Sequence, residues 1–340
     1  MSATIRNAKT TGRVRLQRGV LAGLAGLAAG SLLLGLPAAA QAKVTATATA
    51  PADSTAQIQA LLDNPVNGVV NLPSGTFTIS PSLRLTRGEA IVGHNTTLKV
   101  AASSGDYWTV LTGATPTTDL SGLSITGVTF DQNAAGDPVT DVLKLYQHGY
   151  QRFVIWIPGA TGITITGDKF LNTNNINTIA TGGGARNVTI SGNTFTGVSL
   201  PWHDHSSIYT SGTVATISNN TFTGSHDITA IEVHNDKATI TGNTISGYYR
   251  GVNIVASDTT FTGNTITGSL GPVELWATAA PGLSNVTVTG NTLGQDLPGW
   301  ALYLKTVHMP MPTGTETQQV FQAPTSTFPF SQITISGNTP

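Results

Sequence analysis

Apolar and polar residues alternate along most of this chain, in short runs cut by Gly and Asn. In ATITGNT (238–244), Ile240 stands between Thr239 and Thr241, Gly242 and Asn243 follow, and the next apolar residue is Ile245. Alternation with a period of two marks a strand with one buried face, and Gly-Asn is a tight-turn signal. The pattern returns as ITGVTF (125–130), ITGDKF (165–170), ISGNTF (190–195), ISNNTF (217–222), FTGNTI (261–266), VTGNTL (288–293) and ISGNTP (335–340). Such self-similarity predicts stacked structural repeats, each burying its apolar face against the next.

The shortest spacing, from Ile240 to Phe261, is 21 residues, and others are up to about twice as long. A repeat of this length is too short for a propeller blade of about 40 residues and lacks the Leu/Asn pattern of leucine-rich repeats. It fits one turn of an all-β, single-stranded right-handed parallel β-helix, with loops inserted at corners where the spacing grows. One turn divides into a strand over 228–234, a turn over 235–237, a strand over 238–241, the Gly242-Asn243 bend, a strand over 244–246 and a loop over 247–250. Asn193, Asn220, Asn243, Asn264 and Asn291 share the bend position and are expected to form a ladder of amides. Ile190 with Phe195, Ile217 with Phe222 and Ile240 with Ile245 are expected to point inward.

Upstream, STAQIQALL (54–62) predicts a short helix capped by Ser54, with Ile58, Leu61 and Leu62 on one face. GVVNLPSGTFTIS (68–80) and IVGHNTTLKV (91–100) follow as strands and turns. Helix, "LPxGxY"-like strand and "GxxxTxL" segment together resemble the opening of the pectate-lyase-like superfamily of right-handed parallel β-helices, and the ISGNTF repeats are similar to its successive turns. The resemblance covers nearly all of the chain after residue 53. It implies the fold and a short N-terminal capping helix, and leaves the activity open, because one solenoid hosts many functions.

The first 42 residues read differently. Arg6, Lys9, Arg13, Arg15 and Arg18 precede an apolar stretch over 20–40, and Ala40-Gln41-Ala42 fits a small-x-small cleavage rule. This predicts a secretory signal peptide over 1–42, a flexible segment over 43–53, and a β-helix domain over 54–340 with a long loop insertion at 306–331. The protein is therefore expected to be secreted, monomeric and free of the membrane after cleavage. It has no cysteine, so stability must come from the stacked core rather than disulfides. A net charge of −1, with only 10% charged residues, argues against nucleic acid as the main partner, which would want a basic face.

Against this background of Thr, Ser and Gly, the distinctive side chains gather in and around one strand per turn: PWHDH (201–205), SHD (225–227), IEVHND (231–236), YYR (248–250) and VELW (273–276). With Ile231 and Val233 inward, Ala230, Glu232 and His234 are expected to face out. Aligned turns then give one outward column of Tyr209, Glu232, Asn253, Glu274 and Tyr303. A second holds Ser211, His234, Val255, Trp276 and Lys305. The loops before these strands align His203 with His226 and Asp204 with Asp227, and Arg250 with Thr229. Neighbours within a column are about 4.8 Å apart. The superfamily resemblance implies a substrate groove along the same strand.

Such a face fits a polysaccharide partner. Trp202, Tyr209, Tyr248, Tyr249, Trp276 and Tyr303 offer rings on which the C–H faces of sugars pack, beside the polar Asn253, Glu274 and Lys305. Two chemistries suit it. β-Elimination of a uronic-acid glycan needs a cation against the carboxylate, a base and an acid: Arg250 for the first, His203, His226, His234 and Tyr249 for the others. Asp204, Asp227 and Asp236 would hold a bridging Ca²⁺. Glycoside hydrolysis needs paired carboxylates. Glu232 and Glu274, two turns and about 9–10 Å apart along the backbone, approach the inverting separation, and Asp227 with Glu232 is a tighter pair. The lyase is the leading expectation, the hydrolase the alternative, and a non-catalytic sugar-binding β-helix the third. PWHDH is similar to the WxDH segment of pectate lyases, but the companion R-x-P-x-x-R, the clustered aspartates of polygalacturonases and the DPHE motif of alginate epimerases are absent.

Overall fold

The computed structural model describes residues 52–105, 108–139, 152–173, 177–197, 206–224, 229–269, 271–277, 281–294, 320–322 and 329–339. They form a right-handed parallel β-helix with one short helix at its N-terminal end. Each turn pairs in parallel with the turns before and after it. Thr229–Asn235 lies between Ser206–Ser218 and Arg250–Ile254, and Ala238–Thr241 lies between the second half of Ser206–Ser218 and Thr259–Thr262. The expected division of the turn therefore holds to within a residue or two at each strand end.

The inward stack follows from the alternation. Ile190, Ile217 and Ile240 are fully buried, as are Phe195, Phe222 and Ile245. Phe130, Phe170, Phe195 and Phe222 stack ring on ring, with centroids 5.3, 4.8 and 4.6 Å apart. Cutting one of these rings to Ala would cost about 3–5 kcal/mol, by lost transfer energy and the cavity left behind.

The bend asparagines form the ladder that their spacing predicts. Each Nδ2 donates to the Oδ1 of the next turn's asparagine, from Asn193 to Asn220 (3.0 Å), Asn220 to Asn243 (3.0 Å), Asn243 to Asn264 (2.9 Å), Asn264 to Asn291 (3.1 Å) and Asn291 to Asn338 (2.8 Å). The same Nδ2 donates to a strand carbonyl of the preceding turn, as Asn193 does to Ile165 at 3.0 Å. The residue before the ladder position must turn left-handed: Gly242 has φ +64° there, and Asn219 takes the place at +55°.

Two local expectations are corrected. The helix spans Thr55–Asp63, but Ser54 makes no capping bond; Asp53 Oδ1 accepts from Thr55 N at 2.8 Å instead. Asp53 lies at the end of the segment expected to be flexible, and Ser80 Oγ donates to its Oδ2 at 2.8 Å. Hydrogen bonds from the Thr55 side chain and backbone, with Ser80, hold its carboxyl down to about 2. Within the stretch expected as a loop insertion, Val320–Gln322 is a strand that continues the site-bearing stack beyond Gly271–Leu275. No helix among the described residues is long and apolar enough to cross a membrane.

Candidate functional site

One stack of strands carries the site: Arg152–Ile157, Asn177–Thr181, the first half of Ser206–Ser218, Thr229–Asn235, Arg250–Ile254, Gly271–Leu275 and Val320–Gln322. Ile155, Ile179, Ile208, Ile231, Val252 and Val273 run down its inner side, which fixes the next residue of each strand outward. Tyr209 pairs with Glu232, Glu232 with Asn253, and Asn253 with Glu274, as the repeat alignment predicts. The prediction fails one step later. Glu274 pairs with Phe321, not Tyr303, because 320–322 supplies the next strand. Ser211 pairs with His234 and Thr229 with Arg250, as expected.

Simple alternation breaks down where each strand begins. Ala230, expected outward, is fully buried, and Gly251 faces the core so closely that a Cβ there would meet Pro272 O at 2.3 Å. One position earlier on its strand, Arg250 reaches Glu274 on the outer side, and at the same position of the neighbouring turn, before the buried Ser207, Ser206 reaches Glu232. This bend is what assembles the site.

Two polar units result. In the first, Glu232 Oε1 is 2.7 Å from His234 Nε2, and Ser206 Oγ donates to Oε2 at 2.8 Å. The two side chains are 17% and 29% exposed, so the pair is reachable from outside. Burial pushes the Glu232 carboxyl up, but the His234 hydrogen bond and charge, the Ser206 hydroxyl and the Arg250 charge outweigh it and hold the group below the usual range. The Tyr209 ring lies 4.9 Å from the His234 ring. In the second unit, Arg250 Nε is 3.0 Å from Glu274 Oε2, which also accepts from Trp276 Nε1 at 2.9 Å. The guanidinium sits between the Tyr249 ring at 4.9 Å and the Trp276 ring at 5.4 Å. Glu274 is only 5% exposed, and its carboxylate is committed to these partners.

These positions revise several expected roles. Tyr248 is no sugar contact: it is wholly buried, edge-on to Phe222, with its hydroxyl 2.9 Å from Ser207 Oγ. Burial pushes that phenol well above its ordinary range. Tyr249 is 2% exposed and serves Arg250 as a cation–π platform. Asn253 is buried too, and its Oδ1 meets no hydrogen-bond donor. Tyr209 and Trp276 remain half-exposed. His203, His226, Trp202, Asp204, Asp227, Tyr303 and Lys305 lie outside the described residues. Asp236 is exposed, and no group of three His, Cys, Asp or Glu able to hold a metal ion occurs among the described residues, so the Ca²⁺ expectation gains no support. Sequence reasoning missed Ser206, and it missed Phe153 and Trp156 further along the same face. Extending the column toward the N-terminus would have found them, since Trp156 pairs with Ala180, and Ala180 with Tyr209.

A family model described as "Right handed beta helix region" matches residues 117–293, more than half of the 340 residues. No curated protein matches the chain. Solved structures with the same fold include the tailspike protein of E. coli bacteriophage HK620 in complex with a pentasaccharide, 16% identical, with TM-score 0.63 and coverage of 85% of this chain and 53% of that one. A mutant of that tailspike in complex with a hexasaccharide gives 15% identity, TM-score 0.64 and the same coverages of 85% and 53%. The chain thus spans about half the length of the tailspike chains it matches, and at these identities the likeness is one of fold.

Proposed function

The chain belongs to the right-handed β-helix family, and we propose that it is a carbohydrate-active protein that hydrolyses a glycan laid along the Glu232 face. The observation that carries this reading is the Glu232–His234 pair. A carboxylate 17% exposed is kept below its ordinary range, chiefly by an imidazole 2.7 Å away, and that imidazole lies 4.9 Å from the Tyr209 ring. Such a group is ionised at neutral pH and so free to accept a proton, and a ring nearby orients a sugar.

In the reaction, Glu232 takes a proton from a water whose oxygen bonds to the anomeric carbon, while the glycosidic C–O bond breaks and the leaving oxygen gains a proton. Glu274, the carboxylate expected to pair with Glu232, does not suit this step, since Arg250 and Trp276 both hold its Oε2. Asp227, two residues before the Thr229–Asn235 strand in the sequence, is the carboxyl group we assign to it. His234 sets the charge and position of Glu232.

Hydrolysis is favoured over β-elimination on a specific ground. Elimination needs a cation that binds the uronate carboxylate. Arg250, the cation expected for that task, is paired with Glu274 and flanked by two aromatic rings. The relation to the oligosaccharide-bound tailspikes supports a glycan partner through the shared fold alone. The N-terminal pattern over 1–42 supports secretion, and N-terminal sequencing of exported protein should begin near Lys43. Product analysis on neutral and uronate polysaccharides tests the central reading. New reducing ends without the ultraviolet absorbance of an unsaturated uronate are expected; that absorbance appearing in step with cleavage would restore the lyase.

A further inference from the structure

The outer face extends well beyond the Glu232–His234 pair. Two turns before Tyr209, on the N-terminal side, Phe153 and Trp156 stack with centroids 5.2 Å apart and planes 20° from parallel. Both are half-exposed, on a strand whose other described side chains are buried, and neither is needed to fill the core. The backbone register puts Trp156, Ala180, Tyr209 and Glu232 in one line, each on a successive turn. At about 4.8 Å per turn, Trp156 stands roughly 14 Å from Glu232 along the solenoid axis. That length matches about three sugar units in an extended glycan.

We propose that Trp156, backed by Phe153, is a distal sugar-binding subsite, so that the groove recognises a chain of about four or more units lying parallel to the solenoid axis. The occupant is a pyranose ring presenting its C–H face. A flat, half-exposed indole held rigid by a second ring suits that surface, loses little side-chain freedom on binding, and brings no charge. Ala180, the residue between Trp156 and Tyr209 in the line, is 1% exposed and adds no polar group between the two aromatic positions. The chemistry therefore selects for chain length and a neutral ring face at this end of the groove. This inference rests on the glycan reading above, but not on hydrolysis.

Binding, measured without turnover, separates the two. In Glu232→Gln protein, titration calorimetry is run with short and long members of cello-, xylo-, manno- and chito-oligosaccharide series. Long chains are expected to bind more tightly than short ones, and Trp156→Ala in the same background should erase about tenfold of that preference, ~1.4 kcal/mol. Trp156→Phe should restore most of it, which an unfolded or distorted face would not allow; thermal unfolding checks the fold directly. A length preference unchanged in Trp156→Ala overturns the inference, and so does failure of every series to bind the Trp156-containing protein. Trp156-dependent binding with no reducing-end release by the native sequence upholds the subsite and sinks the hydrolytic reading.

Discussion

At the scale of single residues, the account depends on how neighbours set the charge of Glu232. Burial alone would raise its carboxyl, and His234 contributes the largest opposing effects. Removing the imidazole in His234→Ala should therefore raise the Glu232 pKa and move the acid limb of kcat/KM to higher pH. A pH–rate profile reads this, and an acid limb that stays in place would separate His234 from the base. Arg250 behaves differently. Its removal strands the Glu274 carboxylate, 5% exposed, without its cation. Arg250→Ala should then destabilise the fold by about 3 kcal/mol, seen as a lower denaturation midpoint. A variant as stable as the parent would mean that the ion pair contributes nothing. Glu232 and His234 were legible in the sequence because strand alternation fixes their direction. The burial of Tyr248 and the pairing of Arg250 with Glu274 were not, because alternation fails across the bend at 248–251, where backbone geometry rather than period decides which way a side chain points.

At the scale of elements, the amide ladder holds a built-in irregularity. Asp168 takes the ladder position in ITGDKF, where later turns carry Asn. Its backbone N–H donates to Asn193 Oδ1 at 2.9 Å, and its Oδ1 accepts from Val128 N at 2.8 Å, just as an asparagine's groups would. Its Oδ2, however, is buried without a hydrogen-bond partner, at the place where each asparagine puts a donor. Desolvation pushes the carboxyl up to about 7 from the ordinary 3.8, against the pull of backbone N–H groups. The folded chain thus holds a proton that the unfolded chain releases above about pH 4. Stability is greatest below the unfolded value and falls as pH rises toward 7, by on the order of 4 kcal/mol. Asp168→Asn should remove that loss, because it supplies the missing donor and cannot ionise. Urea denaturation at pH 5 and pH 8 checks it: the native sequence should weaken between the two far more than the variant. A variant that loses as much, or is weaker at pH 8, would contradict the assignment. The ladder was legible because its spacing repeats. The helix cap was not, since Asp53 and Ser54 are both good caps and contacts with Ser80 choose between them.

At the scale of the whole molecule, the repeat and the site have separate tasks. The repeat supplies a rod with columns of outward Thr, such as Thr216, Thr239 and Thr260. One stack of strands departs from this and gathers the carboxylates, imidazole and aromatic rings. The rod was legible almost throughout, because each turn repeats the same burial problem and solves it alike. The ends of that stack were less so. At one end the strand Val320–Gln322 follows a stretch with no repeat signature, so the alignment to Tyr303 misses it. At the other, Trp156 was within reach of the same alignment, since it pairs through Ala180 with Tyr209. The central claim is that Glu232 is the base on this face. Its most direct test is reducing-end release from a cleaved glycan by Glu232→Gln, with thermal unfolding measured alongside. The account predicts a fall in kcat of about a hundredfold or more with unfolding unchanged; a Glu232→Gln protein that cleaves at the native rate would contradict it.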